Sequence, residues 1–147
     1  MLLFDTDVMV DILRGYSPAL EWLQSLDDEE IALPGFVAME LLDGCSNKQE
    51  MNTLMDIIQP YKIHWPVESD CQRALNDFHE HHLSHNLGIL DALIAECAVG
   101  LEVPLCTFNV KHYKVIPRLM AEKPYENTIT VSGIDNSRLC LFKKFMS

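Results

Sequence analysis

Along this chain, short and mostly apolar runs alternate with longer stretches whose apolar residues recur every three or four positions. The runs Leu2–Phe4, Ile31–Leu33, Lys62–His64, Pro104–Cys106 and Thr128–Val131 read as strands. Helices are expected near Val8–Arg14, Pro18–Leu26, Val37–Cys45, Gln49–Ile58, Ser69–Leu83 and Ile89–Val99, with a short one around Val110–Met120. Connections this short leave little choice of topology. They predict an α/β fold of three layers, in which a mostly parallel sheet of about five strands is covered by helices on both faces. Gly15 after Arg14 and Gly100 at the end of "LIAECAVG" read as helix stops, and Pro34 and Gly35 separate a strand from a helix.

At 147 residues the expectation is one domain spanning residues 1–147 around a single core. No stretch approaches the roughly 18 apolar residues of a membrane span, and no basic region precedes a long apolar run, so the chain is expected to be cytoplasmic. The five cysteines are odd in number and widely spaced, which indicates neither a disulfide framework nor a four-cysteine zinc site; they read as small core residues. A net charge of −11 repels nucleic acid at long range. Any nucleic-acid partner must therefore be held by local chemistry.

That chemistry starts in "LLFDTDV", where an apolar strand ends in two aspartates. Carboxyl ends of strands are where open α/β sheets meet their ligands. Asp7 fits the role of helix N-cap, which leaves Asp5 as a carboxylate without a structural task. Glu40, in "GFVAMELLDGC", falls at the rim of an apolar helix face; it either reaches out to water or joins a site. Asp91 opens "GILDALIAECAVG", a helix apolar almost all round, where a first-turn acid is stabilised by the helix dipole or faces a ligand. Three such acids brought to one edge of a sheet would repel one another without a cation. With Mg2+ or Mn2+ they form a site for metal-assisted hydrolysis of a phosphate ester.

The strand ending at Cys106 delivers Thr107 and Asn109 to the same edge, as water-orienting groups or as a turn. Lys111, Lys114, Arg118 and Lys123 follow, opposed in sequence only by Glu122, and Lys111 and Lys114 are candidate phosphate contacts. The histidines of "FHEHHLSH", from His79 to His85, have spacings that could share a metal but read more simply as exposed polar surface.

In this order and spacing "LLFDTDVMVDILRG", "AMELLDG", "HNLGILDALIAECAVGLEVPLCTFN" and "KHY" resemble the PIN-domain ribonucleases, most closely small single-domain members such as the VapC toxins. The resemblance runs from Leu2 to about Val115. It implies a PIN-like fold, RNA as substrate, endonucleolytic cleavage with Mg2+ or Mn2+, a homodimer, and an antitoxin partner. By motif, Asp5, Glu40 and Asp91 match the three core acids, and Asn109 matches a fourth position that is Asp, Asn or Ser. Thr6 and Thr107 match supporting polar residues. Asp7 stands where Asn is common and is a further candidate ligand; "LPGFVAM" lacks the usual Ser or Thr; the tail 132–147 is longer than usual. "FDTDVMV" is also similar to the opening of haloacid-dehalogenase-like phosphatases, which would make Asp5 a nucleophile, but the later motifs of that family are missing. A third reading is a non-catalytic binding module on the PIN fold.

Overall fold

The computed structural model describes residues 1–126. Its elements, in order, are β1 (Leu2–Phe4), α1 (Thr6–Leu13), α2 (Ser17–Ser25), β2 (Ile31–Pro34), α3 (Gly35–Asp43), α4 (Lys48–Ile58), β3 (Lys62–His64), α5 (Glu68–His85), α6 (Ile89–Leu101), β4 (Leu105–Cys106), α7 (Val110–Tyr113) and β5 (Ala121–Glu122). All five strands run parallel, in the order β3-β2-β1-β4-β5, with helices on both faces. The chain builds outward from β1 to β3, then returns to the other side of β1 to lay down β4. The direction of winding therefore switches between β1 and β4, and a crevice opens at their carboxyl ends.

Register sets what reaches that crevice. Leu3 pairs with Leu105 and Phe4 with Cys106, so the residues that leave the two strands, Asp5 and Thr107, emerge side by side. Leu3, Phe4, Ala32, Leu33 and Leu105 are fully buried and fix the sheet between its helical layers, with roughly 1.5–3 kcal/mol from each large side chain. Val8, Met9, Val37, Leu41, Ile94, Ala95 and Cys97 complete the core from α1, α3 and α6.

Several expectations are revised. The strand expected at Thr128–Val131 lies outside the described residues; the fifth strand here is Ala121–Glu122, within reach of the stretch read as a short helix. That helix stops at Tyr113 because Pro117 disfavours helical geometry just before it and removes a donor. Gly15, with φ of 71°, ends α1 as expected. Gly100 does not end its helix, since α6 continues to Leu101 and closes on Glu102 in a left-handed conformation. Gly100 is there for space: a Cβ on it would collide with a carboxylate oxygen of Asp70 on α5. Cys97 and Cys106 are core residues, but Cys45 is half-buried and Cys71 exposed.

Candidate active site

A cleft of about 350 Å³ lies at the β1–β4 crevice, walled by Asp5, Thr6 and Asp7 at the start of α1, Glu40 of α3, Asp91 of α6 and Asn109 before α7. Val10, Asp11 and Arg14 extend its wall along α1, and Phe108 closes one side. The four candidate acids and both neighbouring polar residues, Thr6 and Asn109, are thus brought together from four segments. Thr107 is fully buried beneath them. Lys111 and Lys114 are exposed and do not line the cleft.

Asp5, not Asp7, is the N-cap of α1: its Oδ1 accepts the Thr6 N–H at 2.8 Å. The helix begins two residues earlier than its apolar period indicates, which moves the cap from Asp7 to Asp5. The other Asp5 oxygen accepts the Thr107 hydroxyl at 2.8 Å and the Tyr113 hydroxyl at 3.2 Å. Thr107 has one proton to give, and Asp7 Oδ2 is the more distant acceptor at 3.4 Å. The Thr107 oxygen in turn accepts the Asn109 N–H at 3.0 Å, which ties the loop after β4 to the strand-end acid.

Asp7 Oδ2 accepts the Phe108 N–H at 3.0 Å, while its Oδ1 is buried without a hydrogen-bond partner. Asp91 Oδ2 accepts the Gly88 N–H at 3.1 Å, so this acid is a first-turn cap as well as a wall of the cleft. The same oxygen is 3.0 Å from His112 Nε2. His112 and Tyr113, consecutive on α7, therefore hold two different acids. The sequence displays both in "KHY", but their partners are 21 and 108 positions away, and no local pattern shows which way α7 faces.

The electrostatics are unrelieved. Burial raises the Asp5 carboxyl above its ordinary range against the pull of its hydrogen bonds, and the Asp91 charge adds to the rise. Asp7 is pushed up to about 7 by burial and then by Asp5. Glu40 is pushed up to about 7 by burial and by the charges of Asp5 and Asp91, and the Thr6 hydroxyl only partly offsets this. Among the described residues no three His, Cys, Asp or Glu side chains already converge on a single point, so the acids line the cleft as separate groups. Of the histidines from His79 to His85, the His81 and His85 rings meet edge to face at 5.6 Å, while His82 Nδ1 is bonded to the Leu87 carbonyl at 2.8 Å and His79 is exposed; they form no group of three among the described residues.

Of the basic stretch, Arg118 reaches back 2.8 Å to Glu96 and Lys123 pairs with Glu126 at 2.9 Å. Lys111 and Lys114 are left without an ion pair among the described residues. No helix among the described residues is long and apolar enough to cross a membrane.

Ribonuclease VapC10 of Mycobacterium tuberculosis is 30% identical over 121 residues, which cover 81% of this chain and 90% of the relative. Ribonuclease VapC19 of the same organism is 34% identical over 130 residues, covering 85% of this chain and all of the relative. A solved toxin-antitoxin complex from Klebsiella pneumoniae superposes with a TM-score of 0.70 at 23% identity, over 86% of this chain and 99% of that one, which is a likeness of fold. The sequence also matches the PIN domain over residues 2–116, and the chain belongs to the PIN domain family.

Proposed function

We propose that this protein is a metal-dependent endoribonuclease, the toxin of a toxin-antitoxin pair, and that Asp5, Glu40, Asp91 and Asn109 form its catalytic centre. The observation that carries the reading is the cleft of carboxylates at the sheet's switch point, raised in pKa by burial and by one another. Kinship with the VapC ribonucleases supports RNA as the substrate. Likeness to toxin-antitoxin complexes supports an antitoxin protein as partner, and the family resemblance supports a homodimer.

The residues present fit a divalent ion. Asp7 Oδ1 is a buried acceptor with no donor, the side chains walling the acid end are oxygen ligands, and separate carboxylates around a cleft suit Mg2+, which keeps several of its waters. Asp5, Glu40 and Asp91 would hold Mg2+ or Mn2+, with Asp7 as a further ligand. Such an ion neutralises charge building on the phosphate and lowers the pKa of water. The protein's own part is orientation and proton handling. Thr6, Thr107 and Tyr113 fix both oxygens of Asp5, and His112 with Gly88 fixes one oxygen of Asp91. Glu40 takes a proton from the attacking water at its carboxylate and passes it to solvent, while water protonates the ribose oxygen that leaves phosphorus. Asn109 closes the acid wall with an amide that can orient water without adding charge.

An aspartyl-nucleophile phosphatase fits poorly, since Asp5 is only 8% exposed and both its oxygens accept hydrogen bonds. Cleavage of labelled single-stranded RNA in Mn2+ tests the proposal, with EDTA and Asp5→Asn as controls. Metal-dependent cutting, reduced at least about a thousandfold in Asp5→Asn, is expected, a loss of roughly 4 kcal/mol of transition-state stabilisation. Cutting that survives EDTA and Asp5→Asn would overturn it, and an inert wild type would leave a binding module on the same fold.

A further inference from the structure

Helical spacing places Asp7, Val10, Asp11 and Arg14 on one face of α1 and its end, and all four line the cleft. Among the described residues that do so, Arg14 is the one cation. Its position as the C-cap residue of α1 would explain a cation that simply points to water near the negative end of the helix dipole. Arg14 does something else: its side chain is only 27% exposed, and its Nε is buried without a hydrogen-bond partner. Its one ion pair among the described residues, to Asp11, is long at 3.8 Å, and the other Asp11 oxygen is taken by the Tyr125 hydroxyl at 2.7 Å. Nor does Arg14 serve as counterion to the acids, because the largest influences on Asp5, Asp7 and Glu40 include no cation.

A guanidinium with donors to spare, facing a cleft that otherwise presents acids, matches a phosphate oxygen in charge and shape. We propose that Arg14 binds a phosphate of the RNA strand next to the one cut, and so sets where the strand lies across the acids; this rests on the endoribonuclease reading above. The neighbouring phosphate is chosen by distance. Helix α1 has eight residues and rises roughly 12 Å, so Arg14 stands at the far end of the cleft wall from Asp5, at the place of a phosphate further along the strand.

The test is binding of a fluorescein-labelled single-stranded RNA, read by anisotropy with Ca2+ in place of Mg2+, to the wild type, Arg14→Gln and Arg14→Lys over a range of salt. The same preparations are assayed for cutting in Mn2+, and circular dichroism checks that each is folded. Arg14→Gln is expected to bind roughly tenfold more weakly, with a salt slope shallower by about 0.7, while Arg14→Lys recovers the slope but only part of the affinity. Equal affinity and slope in the wild type and Arg14→Gln overturn the proposal, as does a wild type that binds no RNA. Wild-type binding without cutting in Mn2+ marks instead the failure of the endoribonuclease reading, with the role of Arg14 still decided by the slopes.

Discussion

Among the described residues, Glu96 and Asp70 on one side and the acids of the cleft on the other are buried on different plans. Between α5 and α6, Glu96 is fully buried, yet one of its oxygens accepts from Arg73 Nε and the other from Arg118 Nη2, both at 2.8 Å. Asp70 is bound in the same cluster by Arg73 and also accepts the Val67 N–H that opens α5. In the cleft, Asp5, Asp7 and Glu40 have hydroxyl and amide donors but no cation among their main influences, and all three are raised in pKa. A chain that needed acids only for cohesion would pair them as it does Glu96 and Asp70. The cleft keeps Asp5, Asp7 and Glu40 close with no cation among their main influences, as a site does when its positive charge arrives from outside.

The comparison breaks first at Glu96. Glu96→Ala leaves two guanidinium groups facing a buried gap, and urea unfolding should show a loss of about 2–3 kcal/mol, at the low end for a buried pair because Arg73 and Arg118 still reach water. A stability unchanged within about 0.5 kcal/mol would show that the paired cluster contributes little, and the contrast would lose one side.

A smaller effect comes from pH. A carboxyl raised from 3.8 or 4.5 to about 7 binds protons more tightly in the folded chain, so its contribution is greatest when protonated and is lost as pH rises through that window. The melting temperature of the metal-free protein should fall by about 5 °C or more between pH 5 and pH 8. Asp77 contributes to the same slope, since burial and then its contact with Glu96 push it up to about 7. Saturating Mn2+ should remove the part due to the cleft, and Asp77→Asn the remainder. A melting temperature that rises from pH 5 to pH 8 contradicts the burial of these acids.

Much of this was legible in the residues. Among the described residues, four strands and seven helices were readable, most of them by an apolar face that must be buried; β3 is an exception, with Lys62 and Ile63 exposed. β5 was not readable, because Ala121 is its one apolar residue and its place is set by pairing with β4. Asp5, Asp91 and Asn109 were readable from their places at strand ends and helix starts and Glu40 from the rim of an apolar helix face, and Thr6, Asp7 and Thr107 lie beside them. Arg14, His112, Tyr113 and Glu96 were not. The last three act on partners far along the chain, as Glu96 does on Arg73 and Arg118, 23 and 22 positions away, and a helix that looks apolar all round hides the one acid it turns inward. The basic stretch misled for the same reason, since Arg118 is spent on that buried acid.

The central claim is that the cleft is completed by a divalent cation held on its acids. Calorimetric titration of Mn2+ into the wild type and into the Asp5→Asn, Asp91→Asn double variant tests it directly. The account predicts a saturable heat with the wild type, accompanied by a higher melting temperature, and neither in the double variant. Equal binding by the two proteins would place the ion elsewhere and contradict it.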